Sequence, residues 1–288
     1  MFQSVSLRPL SLLTLSLTLL LATSACKRDR DEAPAPSDTE LRSSTEDQAT
    51  AENDDALVAE FVEADAPEEA RAADPLSPDS LSSRVVGPGG CAQRSWDPAT
   101  RTLTIDFGPT NCRCRDGRFR RGIIRAVFNG PRRAPGSSVT ITRHNYFVND
   151  NQHLGTKVIT FTNHNQWHVS VTGGQVIFQN GGQTSWSCER DVTRTIPTPG
   201  SPTVFTVTGQ ASGTTRRGVS YTATILQPLV RHLEWGCAAV FIDGTLLITR
   251  SNERDALLNY NPAGTTPPPC DRLASITVNG TTRNITLR

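Results

Sequence analysis

Apolar and polar residues alternate along most of the chain after residue 100, a period of two that is typical of β-strands with one buried face. In residues 102–107, Leu103, Ile105 and Phe107 alternate with threonine and aspartate. The same alternation, rich in β-branched residues, predicts further strands. These lie at 137–148, 157–162, 167–172, 175–178, 276–278 and 284–287.

Short segments rich in glycine and asparagine separate the predicted strands. Such pairs favour tight turns, because both central residues of the common hairpin turns need positive φ. About a dozen strands with short connections predict an all-β domain over 85–288, built as an antiparallel meander and folded as a sandwich or a curled open sheet. The turn segments are Asn149-Asp150-Asn151, Gly173-Gly174, Asn180-Gly181-Gly182 and Asn279-Gly280.

A weak internal similarity raises the hypothesis that this domain consists of two related halves. The sequence Gly-x-x-Arg-Arg-Gly occurs at 117–122 and again at 213–218, each time before a predicted strand. A turn sequence used twice by chance explains the same observation.

The first 25 residues have a different pattern, in which a short apolar run follows a single charge. Arg8 precedes the run 11–22, which is too short to span a bilayer and is typical of a secretory signal. Small residues, Thr23-Ser24-Ala25, then lead into Cys26. This resembles the lipobox of bacterial lipoproteins, although Thr23 stands where leucine is usual. We expect a signal peptide over 1–25 and lipidation of Cys26; an ordinary secretory signal is the alternative.

Residues 26–84 are acidic and poor in aromatic residues. Between residues 27 and 84, 17 acidic residues face 6 basic ones, a net charge of −11, whereas residues 85–288 carry 22 basic and 11 acidic residues, a net charge of +11. We expect a disordered tether with one short amphipathic helix at 54–66, because Leu57, Val58, Phe61 and Val62 have helical spacing. Either this arm folds over a basic face of the domain and competes with an anionic ligand, or it is a solvated spacer, which we favour.

Six cysteines follow Cys26, and an even number in an exported protein favours disulfides. Pairing within each half joins Cys91 to Cys112 and Cys237 to Cys270, which leaves Cys114 for Cys188, among fifteen possible connectivities. A zinc site on Cys112-x-Cys114 is the alternative, but one such pair is not the usual zinc spacing. We therefore expect disulfides, no metal and no cofactor.

Arginine is concentrated in one segment of 21 residues, and guanidinium groups bind carboxylates and phosphates through paired hydrogen bonds. This density predicts a face that binds an anionic envelope polymer or a protein partner, without specific nucleic-acid recognition. A solvated arginine-rich surface is the alternative. The candidates are Arg113, Arg115, Arg118, Arg120, Arg121, Arg125, Arg132 and Arg133.

A second candidate site lies in the polar segment 163–168. Trp167 with the amides of Asn163 and Asn165 could stack on a sugar and form hydrogen bonds with it, and a polar hairpin loop is the alternative. Nucleophile, phosphate-loop and metalloprotease motifs are absent from the sequence, and its acids are scattered. A hydrolase is therefore the least favoured hypothesis, and we expect a non-catalytic protein.

The order of these features resembles a group of uncharacterised bacterial envelope lipoproteins. The resemblance rests on the lipobox, the acidic spacer, Thr-Ile-Asp-Phe-Gly at 104–108 before a cysteine, and the Arg-Asp-Gly-Arg segment that begins at Arg115. It implies an all-β domain on a lipid anchor and carries no activity. Because Lys27 rather than aspartate follows Cys26, we expect the outer membrane, with the domain facing the periplasm or the cell surface. The oligomeric state cannot be predicted from the sequence.

Overall fold

Fourteen strands form one antiparallel sheet in which almost every strand pairs with its neighbour along the chain. The computed structural model describes residues 37–67, 70, 89–196, 201–233, 241–251 and 253–287. The predicted signal peptide, Cys26 and Cys237 lie outside these residues. Within them, the structure confirms the predicted all-β antiparallel meander.

One long helix precedes the strands. It is α1, Asp38–Asp65. The strands are β1 (Gln93–Asp97), β2 (Thr102–Asp106), β3 (Cys112–Arg113), β4 (Phe119–Asn129), β5 (Ser138–Val148), β6 (Asn151–Asn163), β7 (Gln166–Ile177), β8 (Gln183–Thr195), β9 (Thr203–Thr214), β10 (Ser220–Leu233), β11 (Asp243–Arg250), β12 (Ala256–Asn259), β13 (Leu273–Val278) and β14 (Thr281–Thr286). The short strand β3 pairs only with β4, beside the main path of the sheet.

Two of the predicted turns are confirmed as tight hairpins. Asn149 and Asp150, with φ of 47° and 65°, join β5 to β6, and Asn279-Gly280 joins β13 to β14. Gly173-Gly174 is different, because it lies inside β7, where the register with β8 shifts. A Cβ atom on Gly174 would lie 2.8 Å from the Trp186 side chain. The pair of glycines therefore makes a bulge that admits a large buried side chain and does not reverse the chain.

The sheet is open and curled. Register shifts occur at six of the strand pairs from β4 to β11, and such bulges bend the strands that contain them. Strands near both ends of the sheet contact α1, namely β2 at one end and β12 and β13 at the other. The curled open sheet, one of the two predicted forms, is therefore the observed one, and it surrounds the helix.

Helix α1 is longer than the helix predicted at 54–66. Residues 38–65 of the predicted disordered tether are therefore helical. Leu57, Val58, Phe61 and Val62 are all buried, as their spacing predicts. Burial of such side chains contributes about 1.5–3 kcal/mol each. The helix ends just before Pro67, since a proline disfavours helical geometry in the residue before it.

One hydrophobic core joins the helix to the concave face of the sheet. Phe61 of α1 packs against Phe107 with ring centroids 6.2 Å apart, and Phe107 packs against Tyr146 at 5.8 Å. The same core continues along the inward-facing residues of the sheet as far as Val278 in β13. Outward-facing residues of β8 are mainly serine, threonine and acids, so the convex face is polar there.

The two Gly-x-x-Arg-Arg-Gly segments have different structural roles. Gly117 lies in the turn before β4 and Gly122 lies inside β4, whereas Gly213 lies inside β9 and Gly218 lies in the following turn. At Gly122, with φ of 90°, a Cβ atom would lie 1.9 Å from the Asn145 carbonyl oxygen. This similarity therefore does not correspond to a repeated structural unit.

Candidate functional site

The acidic residues of α1 meet basic residues on the concave face of the sheet. Asp55 accepts from Lys157 of β6 and from Arg143 of β5, with Nζ–Oδ2 and Nη2–Oδ1 distances of 2.5 and 2.6 Å. Lys157 also donates to the Asp55 carbonyl oxygen at 2.8 Å. Burial disfavours the charged carboxylate, but the two cations outweigh burial and lower the pKa of Asp55. One carboxylate of the helix thus pairs with two buried cations of the sheet.

Glu63, in the last turn of α1, is shared in the same way. Arg133 donates to its Oε1 from Nε and Nη2 at 3.0 and 2.5 Å, and Arg132 pairs with Oε2. Burial again disfavours the charge, yet the two guanidinium groups lower the pKa of Glu63 to about 2. Glu60 pairs with Arg231 of β10 at 2.5 Å. Carboxylates near the C-terminal end of α1 therefore bind both the loop after β4 and a distant strand.

A third cluster surrounds Asp54. Arg118 pairs with this carboxylate, and His153 Nε2 lies 3.7 Å from Asp54 Oδ2. Burial is the main cause that lowers the pKa of His153 to about 4. Arg120 donates two hydrogen bonds, of 2.8 and 2.7 Å, to the Asp116 carboxylate. Its guanidinium carbon lies 4.9 Å from the centre of the Phe61 ring.

Further pairs extend along the helix from Thr45 to Asp65. Arg216 Nε lies 2.8 Å from Asp47 Oδ2, and Arg94 Nε lies 2.7 Å from Asp65 Oδ1. Near the start of the helix, Arg250 donates to the Thr45 hydroxyl at 2.6 Å. The hypothesis that the acidic arm folds over a basic face is therefore the one that the structure supports, rather than the spacer that we favoured.

A cavity of about 90 Å³, measured to the centres of water-sized molecules, lies between α1 and strands β6–β10. Small residues of the helix, Ala56 and Ala59, leave this space open. Its sheet wall is aromatic and aliphatic, with Phe161, Trp167 and Phe205 at the centre, and Phe241 also lines it.

Charged residues line the same cavity. Lys157, Arg133 and Arg231 reach it from the sheet side with their helix partners Asp55, Glu63 and Glu60, and Arg190 of β8 adds a fourth buried cation. Glu60 is 6% exposed, and its Oε2 atom has no hydrogen-bond partner among the described residues. The cavity therefore combines an apolar body with a buried acceptor and closely spaced cations.

The eight candidate arginines do not form one face. The side chains of a strand alternate, so Arg120 points towards the helix while Arg121 points outward, where it pairs with Asp150. Arg118, Arg120, Arg132 and Arg133 are buried with the acids described above, whereas Arg113, Arg115 and Arg125 are exposed. Half of the predicted polyanion face is thus internal.

The segment around Trp167 is divided in the same manner. Trp167 is half-buried and packs against Phe161 and Phe205, with ring centroids 6.0 Å apart in each case. Asn165 accepts from Arg194 Nε at 3.0 Å, and the Asn163 amide donates to Gln166 at 2.8 Å. The indole therefore faces the cavity, while both asparagines stabilise the turn between β6 and β7.

On the convex face, His168 lies between two carboxylates that sequence analysis did not connect to it. Its Nδ1 is 2.9 Å from Asp191 Oδ1 and its Nε2 is 2.6 Å from Glu189 Oε2. These bonds, that to Asp191 first, raise the pKa of His168. Ser170 donates to Glu189 and not to His168, so the group lacks the nucleophile–base bond of a hydrolase. The pairing of His168 with Asp191 across β7 and β8 is the feature that could have revealed this histidine–carboxylate cluster.

The predicted disulfide between Cys91 and Cys112 is present, with Cα atoms 5.5 Å apart. Cys270 is also disulfide-bonded, but its expected partner Cys237 is not among the described residues. The expected pairing of Cys114 with Cys188 is wrong: both are buried thiols. Cys114 directly follows β3, which pairs with β4, and Cys188 lies on β8, four strands further along the sheet. Neighbouring strands are about 4.8 Å apart, so four steps along the sheet exceed the span of a disulfide.

The described residues contain no group of three or more histidine, cysteine, aspartate or glutamate side chains arranged to hold a metal ion. Among the same residues, no helix combines the length and apolar character needed to cross a membrane.

Comparison with known proteins found no matching family model, no matching curated protein and no matching solved structure.

Replacement of Asp55 by asparagine should lower the free energy of unfolding by about 3–5 kcal/mol, because Lys157 and Arg143 would be left buried without a counter-charge. Urea unfolding at pH 7 measures the loss. Asp191→Asn, whose side chain is 74% exposed, is the control and should change stability by less than about 1 kcal/mol. Equal losses in both variants would contradict the role given to Asp55.

Acid should destabilise the network through His153. Its pKa is about 4 when folded and about 6.5 when unfolded, so only the unfolded chain takes up this proton between these pH values. As the pH falls from 6.5 to 4, the His153→Gln variant should therefore lose about 3 kcal/mol less stability than the unaltered protein. Below pH 4.5, Glu63 adds a loss that the variant retains, since its folded pKa is about 2.

The control is His168→Gln, measured by the same urea unfolding across pH 4–7. The raised pKa of His168 contributes stability that is present at low pH and is lost as the pH rises, so this variant should shift the pH dependence in the opposite sense. If both variants shift it in the same direction, the environment assigned to His153 is incorrect.

Proposed function

We propose that this protein is a non-catalytic ligand-binding module of the bacterial envelope, anchored through a lipid on Cys26, and that its binding site is the cavity between α1 and β6–β10. The single observation that carries the binding role is this cavity, whose apolar wall faces a buried carboxylate oxygen. Pockets of this kind, apolar with a few fixed polar groups, are the usual form of a small-molecule site.

The unsatisfied Glu60 Oε2 atom indicates what the ligand supplies. A buried acceptor that lacks a donor costs about 1–3 kcal/mol of stability, and a charged acceptor costs more. A ligand hydroxyl that donates to Glu60 Oε2 removes this cost and so gains affinity. The aromatic side chains of Phe161, Trp167, Phe205 and Phe241 suit a planar ring. A phenol with a short side chain combines both features.

Envelope location has separate support. The Cys91–Cys112 disulfide is typical of an oxidising compartment outside the cytoplasm, where a chain with a lipobox would be delivered.

Calorimetric measurement of para-hydroxyphenylpropanol binding tests the site. For a ligand of about ten non-hydrogen atoms we expect a dissociation constant on the order of 0.1–1 mM. Ala59→Phe should abolish binding because the new ring fills the cavity from the helix side. Leu226→Phe, at a position that is 55% exposed, is the matched control and should bind as the unaltered protein does. Unchanged binding by Ala59→Phe would exclude the cavity as the site.

Lipidation is tested by growth of an expressing bacterial host with an alkyne fatty acid, followed by detection of label on the protein. The unaltered chain and the control Cys188→Ser should carry the label, whereas Cys26→Ser should not, because its hydroxyl cannot replace the acylated thiol. Label on Cys26→Ser, or none on the unaltered chain, would refute the anchor.

A further inference from the structure

Apolar side chains are exposed at the end of the sheet where β4 begins and β7 ends. Phe119, the first residue of β4, is 44% exposed, and Ile177, the last residue of β7, is 37% exposed. Phe147 of β5 is half-buried and pairs across the strands with Arg121, which points outward. Gln152 of β6 pairs with both Phe147 and Ile177. Because paired side chains project from the same face, these residues lie together on the convex side.

This patch carries a cation beside its apolar side chains. We define the apolar rim as Phe119, Phe147 and Ile177. Arg113 of β3 pairs with Phe119 and is exposed, whereas Arg121 pairs with Asp150. Apolar side chains next to cations are typical of surfaces that bind the interfacial region of an anionic membrane. There the apolar groups reach the acyl chains, and guanidinium groups form paired hydrogen bonds with lipid phosphates.

Helix α1 begins at the same end of the sheet as the apolar rim. In the first half of the helix, Asp47 pairs with Arg216 in the turn between β9 and β10. In the antiparallel meander this turn lies at the end where β4 begins and β7 ends. In the last turn of the helix, Glu63 pairs with Arg133 in the loop after β4, which lies at the opposite end.

The segment between the proposed lipid anchor and the helix is short. Cys26 precedes the first residue of α1, Asp38, by 12 residues, which span at most about 43 Å when fully extended. Strand β6 has 13 residues and is about as long. The end of the sheet opposite the rim would therefore reach the bilayer only with this segment stretched along the whole sheet.

From these observations we infer that the apolar rim rests on the anionic membrane surface that holds the lipid of Cys26. The inference rests on the proposed lipid anchor and adds the orientation of the domain. Phe119 and Ile177 enter the interfacial region, and Arg113 binds lipid phosphate. The turn between β6 and β7 faces away from the membrane.

The experiment uses the lipid-anchored chain, reconstituted in vesicles of phosphatidylcholine and phosphatidylglycerol, with a nitrobenzoxadiazole label on one introduced cysteine. The two labelled variants are Ile177→Cys in the rim and Leu226→Cys, whose native side chain is 55% exposed within β10. The unaltered chain gives the background, since Cys114 and Cys188 are buried. Nitroxide-bearing lipids should quench the label at position 177, with a blue shift of its emission, and should leave the label at position 226 unquenched.

Two pairs of variants, each labelled at position 177, identify the contacts. Phe119→Ser should lower the ratio of docked to undocked protein at least roughly tenfold, because it removes most of the inserted apolar surface. Val127→Ser, at a position of the same strand that is also 44% exposed, is the matched control and should leave the ratio unchanged. Arg113→Gln should lower the ratio about fivefold, whereas Arg125→Gln, also exposed on β4, should not.

The outcomes separate the orientation from the anchor. A chain that does not sediment with the vesicles lacks the anchor, which overturns both claims. Equal quenching at positions 177 and 226, or an equal effect of Phe119→Ser and Val127→Ser, overturns the orientation and leaves the anchor intact. A blue-shifted but unquenched label at position 177 assigns the rim to a protein surface, such as a second copy of this chain. Equal quenching on phosphatidylcholine alone overturns the choice of an anionic surface.

Discussion

Buried cations on the concave face of the sheet need counter-charges, and the carboxylates of α1 supply them. Removal of a charge from water costs several kcal/mol, a cost that only well-placed opposite charges offset. Lys157 and Arg143 would be untenable without Asp55, and Arg132 and Arg133 depend on Glu63 in the same way. The helix depends equally on the sheet, since its apolar and acidic residues are buried together on the sheet's concave side.

This mutual dependence explains why residues 36–84, with a net charge of −11, and residues 85–288, with a net charge of +11, belong to one compact unit. Opposite charges that are distant along the chain become neighbours in space. The arrangement also specifies the position of the helix, because a shift by one residue would move Asp55 and Glu63 away from their paired cations.

Local features of the fold could be predicted from the sequence. Alternation at Leu103, Ile105 and Phe107 and the turn residues at Asn149-Asp150 act through neighbours a few residues away. The first half of α1 could not be predicted, because residues 38–53 contain few apolar side chains and none at the spacing that would form an apolar face on a helix. Nor could the cavity, whose lining joins Glu60 to Arg231, 171 residues further along the chain.

The same limit applies to individual side chains. Arg120 and Arg121 are equivalent in sequence, yet one is buried against Phe61 and the other lies outside against Phe147. The alternation of side chains along β4 determines which arginine faces inward. That arginine could be identified only once the register of β4 was known. Gly173-Gly174 has the composition of a turn, and only the position of Trp186 across the sheet distinguishes it as a bulge.

The central position of an N-terminal helix has a consequence for the order of assembly. α1 is synthesised first, but its partners Arg216, Arg231 and Arg250 are synthesised near the end of the chain. Chains dominated by contacts between distant residues fold slowly, since long loops must close before those contacts form. Premature collapse is thereby delayed, and the carboxylates of α1 remain without these partners until the last strands have been synthesised.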